Sequence, residues 1–215
     1  SALLAPLGTK VAAYVLLRML FFVFDVKYVS RTLPVTDLIG WLAAMGIIYG
    51  SVMAIAQHEM KRMLAYSSIA QISYIGLGIG LANPLGFTGA VLHILNHAFM
   101  KGTLFLVAAN LRKNSGHSDI LKLDASYRQK LPWTMAAFTI AALSMIGLPP
   151  TAGFFSKWYL ALAALERSNW VFLTVILISS LLNAVYFFRI LERVYLIHED
   201  QRGEKLHHRA SGNGS

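Results

Sequence analysis

His93, His97 and Lys101 follow one another at four-residue intervals. On a helix that spacing stacks both imidazoles and the ammonium on one face, at ~6 Å steps along the axis. Histidine exchanges protons near neutral pH, and an ammonium withdrawn from water gives up its proton more readily than one in water. Such a face can pass protons. Two histidines one turn apart could also ligate a metal, but no Asp or Glu lies in the surrounding run, 87–110, to complete a site, and no metal is assigned. Lys10 and Lys157 also sit deep in apolar sequence. A lysine at the centre of a membrane span costs roughly 2.5–3.5 kcal/mol, and three facing lipid would cost about 8–10 kcal/mol. All three are expected to face the interior of a helix bundle. The alternatives are a long aliphatic stem reaching the membrane surface or a structural hydrogen bond to a carbonyl. Lys10 lies roughly 12–14 Å into its run, deeper than a stem alone covers.

The elements that hold these residues are long apolar runs, at 2–24, 38–57, 63–82, 87–110, 132–165 and 170–195. Each is near or above the roughly 20 residues that cross a ~30 Å hydrocarbon core. No tract alternates with a period of two, so strands are excluded. The expectation is an all-α polytopic membrane protein of about six transmembrane helices over residues 1–196, with a polar tail, 197–215, expected to be disordered. The fifth run would make a helix of about 51 Å. It contains Gly147-Leu148-Pro149-Pro150-Thr151-Ala152-Gly153, and proline removes a backbone donor and clashes with the preceding turn. The fifth helix is therefore expected to break at Pro149-Pro150, with Lys157 shortly after the break. Discontinuous membrane helices free backbone groups that line ion or substrate sites.

Composition agrees with the apolar runs. Of 215 residues, 56% are hydrophobic and 13% charged, about half the charge of an ordinary soluble domain. The net charge of +9 falls in short segments between the runs, so it reads as a topology signal rather than a nucleic-acid surface. A single broken fifth crossing puts Lys61, Arg62, Arg112, Lys113, Lys122, Arg128, Lys130 and the C-terminal basic residues on one side. It leaves Lys27, Arg31, Arg167 and Arg18 on the other. Two separate crossings would even the balance. The positive-inside rule favours the broken helix, with both ends of the chain cytoplasmic. The absence of cysteine excludes disulfides, iron–sulfur clusters and thiolate chemistry. There is no strand–glycine–helix nucleotide motif and no flavin or haem pattern, so no cofactor and no catalytic chemistry of its own are expected.

Further polar residues lie inside the spans: Tyr66, Ser67, Ser68, Gln71, Ser73, Tyr74, Asn96 and Asn183. Singly, each reads as a helix–helix hydrogen bond. Together on the third run, residues 66 to 74 suggest a wet interior. No carboxylate lies deep in a span, since Asp25, Asp37 and Glu192 fall at ends. A Na⁺ site would need carbonyl or hydroxyl oxygens at the helix break.

Three stretches carry a resemblance. They are His58-Glu-Met-Lys61-Arg62-Met-Leu-Ala-Tyr66-Ser67-Ser68-Ile-Ala-Gln71, the His93/His97/Lys101 row, and Gly147-Leu-Pro-Pro-Thr-Ala-Gly-Phe-Phe-Ser-Lys157. In this order they resemble the antiporter-like family. It includes the proton-pumping membrane subunits of respiratory complex I and the D- and A-type subunits of multisubunit Na⁺/H⁺ antiporters. The segments Thr9-Lys10-Val-Ala-Ala-Tyr14 and Phe155-Ser-Lys-Trp-Tyr159 look most like the D-type subunit. The resemblance implies the second half of an inverted-repeat fold, with a fragment of a longer chain as the expectation. It implies that Lys10 connects the two halves, that His93, His97 and Lys101 form a relay, and that Lys157 is the terminal site. Lys61, Tyr66, Ser67, Gln71, Asn96 and Asn183 are the supporting polar groups.

The function expected is proton or cation/H⁺ translocation, with H⁺ and also Na⁺ as candidate ions. The expected setting is a bacterial-type plasma membrane, the partners other membrane subunits and lipid, and no nucleic acid. The alternative is a proton-pumping membrane subunit of an NADH- or ferredoxin-linked quinone oxidoreductase. A third reading, a scaffold whose lysines only bind carbonyls, differs in surviving the loss of Lys101.

Overall fold

The structure, a computed structural model, describes residues 4–23, 35–116, 119–123 and 126–196. The expected tail lies outside these residues, as do Asp25, Lys27 and Arg31. Eight α-helices occur among them: α1 (Leu4–Arg18), α2 (Val35–Ile55), α3 (Met60–Gly80), α4 (Pro84–Ser115), α5 (Ser126–Lys130), α6 (Pro132–Ile146), α7 (Ala152–Glu166) and α8 (Trp170–Tyr195). A π-helical turn, Met19–Val23, continues α1, and a 3₁₀ turn, Ile120–Lys122, precedes α5.

Local chemistry sets the ends. Asn83 caps α4 by accepting from Gly86 N at 2.8 Å, with Pro84 in the first turn, where its missing N–H costs nothing. Asn169 caps α8 in the same way, accepting from Phe172 N at 3.1 Å. The fifth apolar run is two helices, α6 and α7, interrupted over 147–151 as the Pro-Pro pair requires. Gly147 ends α6 at φ 91°, a left-handed conformation that glycine adopts without a Cβ penalty.

Three helices are long and apolar enough to cross a membrane: α2, α8 and residues Pro84–Asn114 of α4. α3 matches α2 in length at 21 residues but carries a row of serines, tyrosines and Gln71. Polarity is distributed as in a membrane protein. Lys101, His93, His97, Gln71 and Asn183 are fully buried, while Phe99, Leu181 and Ile140 are 76%, 69% and 68% exposed. In water that arrangement would waste apolar burial and desolvate polar groups. In lipid the exposed apolar side chains meet an apolar solvent, and the polar groups are better placed inside the bundle than facing hydrocarbon.

Two large apolar clusters hold the bundle, and a smaller third seats α1 on α3 and α4 through Leu17, Ile75, Ile79 and Ala90. Of the large two, one joins α3, α4, α6 and α8 through Met63, Leu64, Leu104, Phe138 and Phe187. The other joins α2, α3, α7 and α8 through Ile47, Leu77, Leu160 and Ile176. α1 packs on α3 and α4, and the broken pair α6–α7 packs on α4.

Candidate proton-transfer site

α4 packs against α1, α3, α6 and α7 and presents His93, His97 and Lys101 on one buried face, as the four-residue spacing requires. The imidazoles are nearly parallel, 20° apart, with centroids 6.0 Å apart. Lys101 Nζ reaches across to α3, where it donates to Leu64 O at 2.6 Å and to Ser67 Oγ. At the other end of the row, His93 Nδ1 is 3.0 Å from Ser156 Oγ on α7. The next residue is Lys157.

The helix break explains how Lys157 is held. Its ammonium donates to Met145 O and Ile146 O, both at 2.9 Å, and to Ser180 Oγ at 3.2 Å. Those two carbonyls end α6 and have no following turn to accept from. Tyr74 lies beneath, with Nζ 5.2 Å from its ring centroid. A hydrogen bond from a charged donor contributes about 1.5–3 kcal/mol, so three of them offset the roughly 2.5–3.5 kcal/mol cost of a lysine in mid-span. Lys101 meets the same requirement with two.

Lys10, on α1, is buried. Its helix packs on α3 and on α4, which carries the histidine row. Among the described residues no Asp or Glu is buried, and both ion pairs, Arg62–Glu59 and Arg167–Asp37, lie at helix ends. Among the described residues, Lys101 and Lys157 are therefore hydrogen-bonded by neutral oxygens alone.

The supporting residues divide. Ser67 bonds Lys101. Gln71 and Asn183 are fully buried beside Lys157. Asn96 donates to Ala152 O at 2.6 Å, tying α4 to the start of α7. Lys61 and Tyr66 are half-buried on the first two turns of α3, and among the described residues no hydrogen bond joins them to the row. Ser156, Ser179, Ser180 and Tyr186 belong to the site but do not stand out in the sequence. Each is a single hydroxyl in an apolar run, visible only once α7 and α8 are packed against α3 and α4.

Residues 1–183 match the family described as "NADH:quinone oxidoreductase/Mrp antiporter, TM". The chain belongs to this family. Among relatives, NADH-quinone oxidoreductase subunit N of Desulforudis audaxviator is 51% identical over 195 residues, covering 91% of this chain and 38% of the relative. The D-type subunit of the Na(+)/H(+) antiporter of Alkalihalophilus pseudofirmus is 32% identical over 185 residues, covering 85% and 36%. A chain of the Mrp complex from Dietzia sp. superposes with a TM-score of 0.81 at 26% identity, covering 88% of this chain and 34% of that one. The chain thus spans less than two-fifths of the length of these three proteins. It is an antiporter-like integral membrane protein, and its identity is higher with the quinone oxidoreductase relative than with the antiporter relative.

Proposed function

We propose that the chain translocates protons along Lys10, Lys101, His97, His93 and Lys157, as the second half-channel of a longer antiporter-like subunit. One observation carries the reading: two lysines buried without carboxylate partners stand at the ends of a stacked histidine pair on one helix. A purely structural lysine gains nothing from that arrangement. A proton carrier needs it, because neutral oxygens can hold the ammonium yet leave it free to become an amine.

Each residue has a distinct task. Lys101 and Lys157 are the resting places of the proton. Ser156 Oγ can accept from and donate to His93 Nδ1, which ties the histidine row to the helix carrying Lys157. Among the described residues, both nitrogens of His97 and Nε2 of His93 are buried with no hydrogen-bond partner. They suit a bridging water, which transfer across a 6.0 Å ring separation requires. Lys10, on α1, is the proposed link to the first half-channel. Like charges disfavour one another, so protonation at one lysine promotes release at the next.

The assembly served is proposed to be a multisubunit one in a bacterial-type plasma membrane, with both ends of this segment cytoplasmic. Within it, the 51% identity with a quinone oxidoreductase subunit N favours a complex I-like arm over a Na⁺/H⁺ antiporter. Na⁺ remains the candidate second ion for the antiporter reading. Lys157→Gln in the complete assembly, reconstituted in liposomes, is expected to lower proton flux roughly a hundredfold, the lower range for losing a positioned acid–base group. Flux equal to that of the parent would refute the assignment. Flux driven by quinone reduction identifies the first assembly, and flux driven by a Na⁺ gradient the second.

A further inference from the structure

The hydroxyl of Ser156 has one proton and two partners. It donates to Gly153 O, 3.0 Å away on its own helix, and its oxygen lies 3.0 Å from His93 Nδ1 on α4. A carbonyl only accepts, so the bond to Gly153 uses the serine proton. Both bonds stand together only if His93 Nδ1 carries a hydrogen and donates to the serine oxygen. In the opposite tautomer Nδ1 is a lone pair, the hydroxyl must turn to it, and the bond to Gly153 is lost. One tautomer keeps two hydrogen bonds and the other keeps one. Nε2 does not tip that balance, because among the described residues it is buried with no hydrogen-bond partner. The serine is also held in place. Gly153 N donates to Ser144 Oγ of α6 at 3.1 Å, and Asn96 of α4 donates to Ala152 O at 2.6 Å, so the first turn of α7 is fixed from two sides. Ser156 and His93 are both fully buried, and the imidazole packs against the rings of Tyr74 and His97, at centroid distances of 5.3 and 6.0 Å.

We propose that Ser156 is a positioning residue that keeps neutral His93 as its Nδ1–H tautomer, and so makes Nε2 the one nitrogen through which His93 takes up and releases a proton. This rests on the proton-transfer reading above. A proton arriving at Nε2 makes an imidazolium, whose two nitrogens both donate. The chain from Nδ1–H to Ser156 to Gly153 O already suits that ion, so the histidine changes charge while its anchor stays as it is. In the other tautomer each protonation would have to turn the hydroxyl. Transfer through Nδ1 leads nowhere. A proton given to Ser156 Oγ must be matched by release of the serine's own proton to Gly153 O, and a backbone carbonyl has no onward route for it. Ser156 therefore fastens the histidine row to α7 without conducting, and protons bound for Lys157 leave Nε2 through bridging water.

The tautomer is read by magic-angle-spinning NMR on the complete assembly in liposomes, isotope-labelled at the histidine nitrogens, at about pH 8, where an imidazole is ordinarily neutral. The signals of His93 are those missing from His93→Gln. The parent is expected to carry its hydrogen on Nδ1, and Ser156→Ala to carry it on Nε2. Ser156→Thr keeps the hydroxyl, so it should restore Nδ1–H and recover flux from the about three- to tenfold loss in Ser156→Ala. A hydrogen on Nε2 in the parent, or on Nδ1 in Ser156→Ala as in the parent, overturns the inference. Should His93→Gln fail to assemble, Ser156→Ala decides alone, since one histidine must then pass from Nδ1–H to Nε2–H. Proton flux of Lys101→Ala in the same liposomes separates the two claims. If it is abolished while the parent shows Nε2–H, only this inference falls and the proton-transfer reading stands. If it is unchanged, the proton-transfer reading falls and takes the transport role of Nε2 with it, whichever tautomer is found.

Discussion

At the residue scale the proposed chemistry follows from what each nitrogen can bond. Lys157 has three oxygens on it and Lys101 two, all from neutral groups. A carboxylate at either place would lock the ammonium, whereas carbonyls and hydroxyls hold it without fixing the proton. Ser156 links the histidine row to α7 through a single bond of 3.0 Å. Ser156→Ala removes that bond and leaves Lys157 held as before. Proton flux is expected to fall about three- to tenfold, as for loss of one neutral hydrogen bond, with assembly unchanged by size-exclusion chromatography. The lysines and histidines were legible in the sequence because charge in an apolar run is costly and a four-residue spacing names a face. Ser156, Ser180 and Tyr186 were not, because one hydroxyl in an apolar helix has many ordinary uses. The acceptors from Leu64, Met145 and Ile146 are backbone carbonyls, which no side-chain pattern announces.

At the scale of elements, the break between α6 and α7 is the feature on which Lys157 depends. Pro149 and Pro150 forecast that the helix stops, and it does, over 147–151. They do not forecast where the freed carbonyls point. That follows from the return of α7 against α6, which requires a very close approach at Gly153. A Cβ there would overlap the carbonyl of Ser144 on α6. Gly153→Ala is therefore expected to push the two half-helices apart at a cost of about 1–3 kcal/mol, seen as a lower thermal midpoint of the assembled protein. At the opposite end of the bundle, Arg189 of α8 donates to Ile55 O at 3.0 Å and Gln57 O at 2.5 Å, covering carbonyls at the end of α2. Its charge entered the sequence reading only as part of a topology signal. In the structure the same guanidinium is a helix cap, and its position in the last turns of an apolar helix shows why: a cation near a helix end is well placed to serve a neighbouring helix's orphan acceptors.

At the scale of the whole molecule, the inside-out distribution of polarity and the family membership agree on a membrane-embedded bundle. The six apolar runs of the sequence correspond to α1 with its π turn, α2, α3, α4, the α6–α7 pair and α8. Three of these helices are long and apolar enough to cross a membrane. α6 is apolar but short, because the break ends it at Ile146, and α3 carries polar residues along its length. The arrangement with one broken crossing makes a direct topological prediction, and this stretch contributes no cysteine of its own to the background. Lys113→Cys and Lys130→Cys are expected to react with a membrane-impermeant maleimide from one side, and Ser168→Cys from the other. Labelling of all three from the same side would require two crossings in place of the broken one. The central claim, that protons move along the buried face of α4, is tested most directly by proton flux in liposomes holding the complete assembly, with and without Lys101→Ala. The account predicts a fall of roughly a hundredfold or more at normal assembly. Undiminished flux through the Lys101→Ala protein would contradict it and reduce His93, His97 and Lys101 to structural hydrogen-bonders.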